Sequence, residues 1–158
     1  MRPFQSFSTT EHSTFSSPSP TGPDTPAQYG EPESLMEVEV GAPQTHKIGG
    51  ETFTDYEVTA RTNLPGYARG TTVVRRRYSD FEHLRQCLKN EMVVTNRTRV
   101  KIPHLPGKIF LSNRFDERVI EERQRGLDKW LKSVAGHPLL QVGSAVLVRF
   151  LQSRVFSG

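Results

Sequence analysis

The constraint that narrows the fold most is a direct passage from a strand pattern into a helix pattern, with no loop residues between them. Thr71 to Tyr78 is rich in β-branched and aromatic residues and opens after the turn signal Gly70, which predicts a strand. Ser79, followed three residues later by Glu82 and just ahead of Phe81, Leu84 and Leu88 at helical spacing, predicts a capping box and a helix over roughly Ser79–Asn90. The strand therefore ends near Arg77 or Tyr78, and sheet and helix share one corner. That corner carries Arg75, Arg76 and Arg77, with no acid before Asp80. A helix N-terminus presents unpaired N–H groups and the positive end of the dipole, so an anion near Ser79 would meet backbone and Arg77 together. A guanidinium fork matches phosphate oxygens. Ser79 is read either as a cap alone or as a cap that also touches a ligand. Alternation sends Arg75 and Arg76 to opposite faces, which makes them structural or solvated. It also separates Arg77 from Tyr78, so only the bend can bring those two to one site.

Upstream, Leu35, Glu37 and Glu39 alternate with Met36, Val38 and Val40, and Phe53 to Thr62 places Tyr56, Val58 and Ala60 on one face, predicting two more strands. Leu64-Pro65-Gly66-Tyr67 turns the chain into the third. A second long helix is expected from about Asp116 to Ala135, stopped by Gly136-His137-Pro138. Ile120, Leu127, Leu131 and Val134 form its apolar stripe, and Arg118, Glu122, Arg125, Lys129 and Lys132 its wet face. Arg123 falls on the inward side, where a lone guanidinium is costly. Its partner is either an acid such as Asp55 or Glu57, or a ligand. Gly126, one turn on, would let something approach that face closely. Gly143 to Phe156 reads as a buried terminal helix, apolar nearly all round. The fold class that follows is α+β: a three-stranded antiparallel meander packed against a helical subdomain.

Between the two long helices the chain lacks a regular period, and long loops in small domains are usually functional or disordered. Met92 to Phe115 holds five bases, Arg97, Arg99, Lys101, Lys108 and Arg114, and no acid. In its middle, Ile102-Pro103-His104-Leu105-Pro106-Gly107-Lys108 fixes two φ angles and then delivers a lysine after a glycine. Ile109, Phe110 and Leu111 follow, and would either pack in the core or project into a bilayer.

The charge is unevenly spread. Residues 1–33 hold one base and four acids, a net −3, so the net +4 of the 158-residue chain leaves +7 on the remainder. Those first 33 residues are dominated by Ser, Thr, Pro and Gly and are read as a disordered tail ahead of one folded domain over 34–158. A basic surface admits nucleic acid, anionic membrane or phosphorylated ligands. No apolar run is long enough for a membrane span and the start is not a signal peptide, which predicts a cytosolic protein. Cys87 is the single cysteine, and the five histidines show no metal-ligand spacing, so neither a disulfide nor a metal site is expected. Phosphate-loop, dinucleotide and nucleophile-elbow motifs are lacking, and no enzyme activity or cofactor is expected.

Three segments, Arg76-Arg77-Tyr78-Ser79-Asp80-Phe81, Ile102 to Lys108, and Glu121-Glu122-Arg123-Gln124-Arg125-Gly126-Leu127, resemble in order and spacing the signature of the phox-homology (PX) domain family. The likeness covers about Ser34 to Phe156. Within that family the chain is similar to the small sorting nexins built from a PX domain and little else, including the fungal form that acts with the retromer coat. Asn63-Leu64-Pro65 and Ala135-Gly136-His137-Pro138-Leu139 add to that closer likeness.

The resemblance implies a binder of phosphatidylinositol 3-phosphate. Arg77 and Ser79 would take the 3-phosphate, Tyr78 would stack under the inositol ring, Lys108 would reach the 1-phosphate, and Arg123 would hold the ring hydroxyls at positions 4 and 5. Ile109, Phe110 and Leu111 would border the bilayer. The implied setting is peripheral attachment to endosome and Golgi membranes and retrieval of cargo from endosome to Golgi, with retromer subunits and sorted cargo as partners. Two other readings stand beside it: a basic nucleic-acid module, disfavoured by the few aromatic residues around the basic loop, and a scaffold offering Pro103 and Pro106 as a peptide ligand.

Overall fold

A buried arginine joins the sheet to the last helix. In the computed structural model, which describes residues 30–107 and 113–156, three strands form one antiparallel sheet in the order β1-β2-β3: β1 Met36–Ile48, β2 Glu51–Thr62 and β3 Gly70–Arg77. Four helices follow, α1 Tyr78–Val94, α2 Glu117–Ala135, α3 Pro138–Gly143 and α4 Ala145–Gln152. This is the α+β meander with helices that the residue pattern predicts. The expectation of a disordered tail falls almost wholly on residues outside those described.

The strand β1 is longer than its alternating segment suggests. Gly49 and Gly50, at φ +60° and +84°, make the two-residue turn that glycine pairs favour, and Ile48 pairs with Glu51. The register shifts between Gly41 and Gln44, so the Gly41-Ala42-Pro43 run that reads as a strand end is a bulge. On the far edge of β1, Val40 N–H donates to Asp128 Oδ1 at 2.9 Å and Val40 C=O accepts from Gln124 Nε2 at 3.1 Å. α2 thereby satisfies backbone groups that an open edge strand would leave bare.

Tyr56, Val58 and Ala60 are buried, as the alternation predicts, and meet Phe81, Leu84 and Leu88 of α1 and Leu127, Trp130 and Leu131 of α2 in one core. The Phe81 ring takes Phe150 edge-on at 5.0 Å and Trp130 at 6.2 Å, a favourable aromatic geometry.

Three boundaries differ from the sequence reading. α1 starts at Tyr78, one residue early, because Asp80 rather than Glu82 closes the first turn: its Oδ2 accepts the Arg77 N–H at 2.7 Å. Ser79 therefore lies inside the helix and is not its cap. α1 also continues past Asn90 to Val94, where Asn96 adopts φ +56°. Arg97 N–H then reaches Met92 C=O at 2.8 Å and Asn96 N–H reaches Val93 C=O at 3.1 Å, a left-handed ending built on asparagine instead of glycine. The terminal segment, residues 143–156, holds one short helix, α4, that stops at Gln152, with Leu147, Phe150 and Leu151 inward and Arg149 outward, so α4 is one-sided rather than apolar all round. Ser144 caps α4, accepting from Leu147 N–H at 3.1 Å, and donates to Glu91 Oε2 of α1 at 2.6 Å.

Arg76 is 1% exposed. Its Nε and Nη2 donate to Phe150 C=O at 2.9 and 2.7 Å, and Nη2 also donates to the Ser153 C=O. These are carbonyls of the C-terminal end of α4, where orphan acceptors and the negative dipole end favour a cation. Replacing Arg76 with methionine keeps much of the volume and strands those acceptors, so the unfolding free energy should fall by about 3 kcal/mol, read as a lower urea midpoint at unchanged m-value.

Candidate anion-binding site

The hairpin of β1 and β2 outruns β3. The last pair joining β2 to β3 is Asp55 with Arg77, whereas β1 and β2 stay paired out to Ile48 and Glu51. Beyond Arg77 the chain turns into α1, so the hairpin arm, the start of α1 and the first turns of α2 frame a cleft of about 230 Å³. Among the described residues its basic lining is Arg77, Arg114 and Arg123, from three separate parts of the chain, and none of that lining is acidic.

Each basic group is held differently. The Arg77 guanidinium lies 3.4 Å from the centre of the Phe53 ring, a cation–π contact that leaves the in-plane N–H donors directed elsewhere. The carboxylate directly across the sheet, Asp55, is already engaged: Arg75 binds its Oδ1 at 2.7 Å and His46 approaches its Oδ2 at 3.0 Å. Arg77 thus has no ion-pair partner among the described residues. Arg114 rests 4.7 Å from the ring centre of its neighbour Phe115.

Arg123 forms no ion pair with Asp55 or Glu57, the acid partners its spacing allows. Those two acids lie on the outer face of the sheet with Arg75, while Arg123 sits on the Tyr56 side. Its guanidinium is 4.1 Å from the centre of the Tyr78 ring, Nη2 donates to Gly107 C=O at 3.4 Å, and the buried Nε has no hydrogen-bond partner among the described residues. Burial pushes the Tyr56 hydroxyl above its usual pKa, and the charge of Arg123 opposes that shift.

The proline segment forms the neighbouring wall. Tyr78 donates its hydroxyl to Pro106 C=O, and Pro103 C=O accepts from both Trp130 Nε1 and Arg85 Nε, each at 2.9 Å. Pro106 packs over Gly126, where an added Cβ would come within 2.6 Å of its ring. This is the close approach that a glycine on the inward face of α2 permits.

The structure therefore brings Arg77, Tyr78, Ser79 and Arg123 to one cleft. Lys108, Ile109, Phe110 and Leu111 lie outside the described residues. The sequence reading missed Phe53, Tyr56, Arg114 and Phe115 as lining residues. Arg114 was marked only by its place in the acid-free basic segment. Phe53 and Tyr56 read as ordinary strand residues.

Residues 64–154 match the PX domain family. The chain is 53% identical over 160 residues to sorting nexin-3 of Kluyveromyces lactis, covering 99% of this chain and 98% of that one. It is 52% identical over 164 residues to sorting nexin-3 of Saccharomyces cerevisiae, covering 99% of each. Among solved structures, a designed CISK-PX domain superposes with TM-score 0.61 at 28% identity, covering 75% of this chain and all of that one. The chain belongs to the PX-domain family, as one of its small sorting nexins.

The contact between Pro106 and Gly126 yields a direct test. Alanine is the better helix former by about 1 kcal/mol, yet in Gly126→Ala the new methyl collides with the Pro106 ring. The expected outcome is a lower thermal midpoint despite the propensity gain, with amide resonances of His104 and Gly107 displaced as the segment lifts from α2.

Proposed function

We propose that this sorting nexin binds phosphatidylinositol 3-phosphate, attaches peripherally to endosomal and Golgi membranes, and helps retrieve cargo from endosome to Golgi with retromer. The observation that carries the reading is the convergence of Arg77, Arg114 and Arg123 on one cleft, with no acid in its described lining. Three guanidiniums, each resting on an aromatic ring, suit a multiply phosphorylated ring better than they suit a single carboxylate. Among the described residues no helix is long and apolar enough to cross a membrane, so lipid binding would supply the attachment. The protein acts as a binding adaptor and carries out no reaction. The binding module spans residues 34–158, with residues 1–33 as its appendage.

In this reading Arg77 and Ser79 hold the 3-phosphate. Ser79 lies in the first turn of α1, where backbone N–H groups and the dipole add to its hydroxyl. Tyr78 supports the inositol ring, Arg123 donates to the ring hydroxyls from its place beside the Tyr78 ring, and Lys108 reaches the 1-phosphate. Ile109, Phe110 and Leu111 border the bilayer. Arg114 joins the set as a further phosphate ligand. Charge-assisted hydrogen bonds contribute roughly 1.5–3 kcal/mol each, so a few of them reach the −8 kcal/mol or so of a micromolar complex. Retention on a membrane then needs a second contact, from coat or cargo.

Vesicle co-sedimentation tests the reading. Binding should require the 3-phosphate and persist at moderate salt. In both Arg77→Ala and Arg123→Ala it should fall at least about tenfold. Indifference to the phosphoinositide, or equal binding to RNA, would replace this reading with a generic basic surface. Arg114→Ala separates shape from charge: as a headgroup ligand its loss lowers affinity for soluble inositol 1,3-bisphosphate, whereas a contributor to diffuse charge affects only binding to anionic vesicles.

A further inference from the structure

A second opening lies behind the proline segment, between it and the C-terminal half of α1. It encloses about 560 Å³, and no residue of the headgroup cleft lines it. Met92, Val100, Ile102 and Pro103 give it an apolar floor. The first three pack against the core, so the floor is part of the folded body. Val93 in its wall is 68% exposed, and the adjacent Val94 is 84% exposed.

The rim has one sign of charge. Lys89 and Lys101 stand at the opening with Arg85, and no acid lines it among the described residues. Arg85 is committed, to Pro103 C=O at 2.9 Å and to His104 Nδ1 at 3.2 Å. Lys89 and Lys101 are exposed and engage no partner in hydrogen bonds or ion pairs among the described residues. Glu91, the nearest acid along α1, is turned to Ser144.

We propose that this groove receives a short acidic peptide segment of a partner protein, with apolar side chains entering the slot and carboxylates meeting Lys89 and Lys101. The chemistry of the lining selects that occupant. An apolar floor calls for apolar side chains, and flexible ammonium groups accept carboxylates without the fixed geometry that a phosphate takes from an arginine fork. The described lining of the headgroup cleft carries its charge on three arginines. Charge complementarity would speed and orient docking, and the apolar slot would supply residence.

The probe is a fluorescein-labelled peptide alternating leucine with aspartate, added to the full chain, with asparagine-for-aspartate and serine-for-leucine peptides as controls. The acidic leucine peptide should bind and both controls should bind more weakly. Combining Lys89→Glu with Lys101→Glu should lower its affinity by about tenfold, while Arg77→Ala leaves it unchanged. Amide resonances of Val93 and Ile102 should move on addition of the peptide, and that of Ser79 should not. Absence of binding, equal binding by the charge-reversed variant, or shifts centred on Ser79 would overturn the proposal. So would a charge-reversed variant that keeps the peptide but loses phosphatidylserine vesicles, since the groove would then face a bilayer.

Discussion

The guanidinium of Arg76 is the contact on which the rest of the arrangement depends. A buried cation is expensive unless its donors are filled, and here they are filled by main-chain carbonyls of Arg75, Arg149, Phe150, Ser153 and Arg154. The rings of Phe150 and Phe156 lie 5.3 and 5.5 Å from it. Burial draws its pKa below the usual arginine value, with Asp80 opposing, yet an arginine keeps its charge where a lysine would yield it. The end of β3 is thereby tied to the end of α4, far apart in sequence. With Arg76 fixed inward, alternation leaves Arg75 and Arg77 no choice but the outer face.

That placement sets a problem which the neighbouring residues solve. Arg77 faces Asp55 directly across the sheet, and a simple cross-strand ion pair would use up its charge. Asp55 is instead engaged by Arg75 at Oδ1, while His46 Nε2 lies 3.0 Å from its Oδ2. Arg77 settles on Phe53, and Phe53 is stacked on His46 at 5.0 Å. The outer face thus meets Asp55 and Glu57 with Arg75 and leaves Arg77 available. Three consecutive arginines serve as tie, quencher and candidate ligand, and the difference among them is register.

This explains which parts were legible in sequence. Hydrophobic period located the strands and both long helices because each has one buried face. The corner at Arg77 and Tyr78 was legible because strand propensity ran straight into helix spacing. The burial of Arg76 was not, since its acceptors are carbonyls of residues 149–154, which have no side-chain signature. The extension of β1 through Pro43 was hidden by a bulge that resembles a stop, and the end of α1 by an asparagine doing the work of glycine. Arg123 left an acid or a ligand equally open, and only strand geometry, which puts Asp55 and Glu57 on the opposite face, removed the acid.

The proline segment relates the two openings. It is pinned at Pro103 by Trp130 and Arg85, and at Pro106 by Tyr78 and the bare surface of Gly126. These contacts fasten the wall at both ends to two helices, α1 and α2. If both are used, a headgroup and an acidic segment held side by side on one rigid surface combine through effective concentration, gaining avidity without any change of shape.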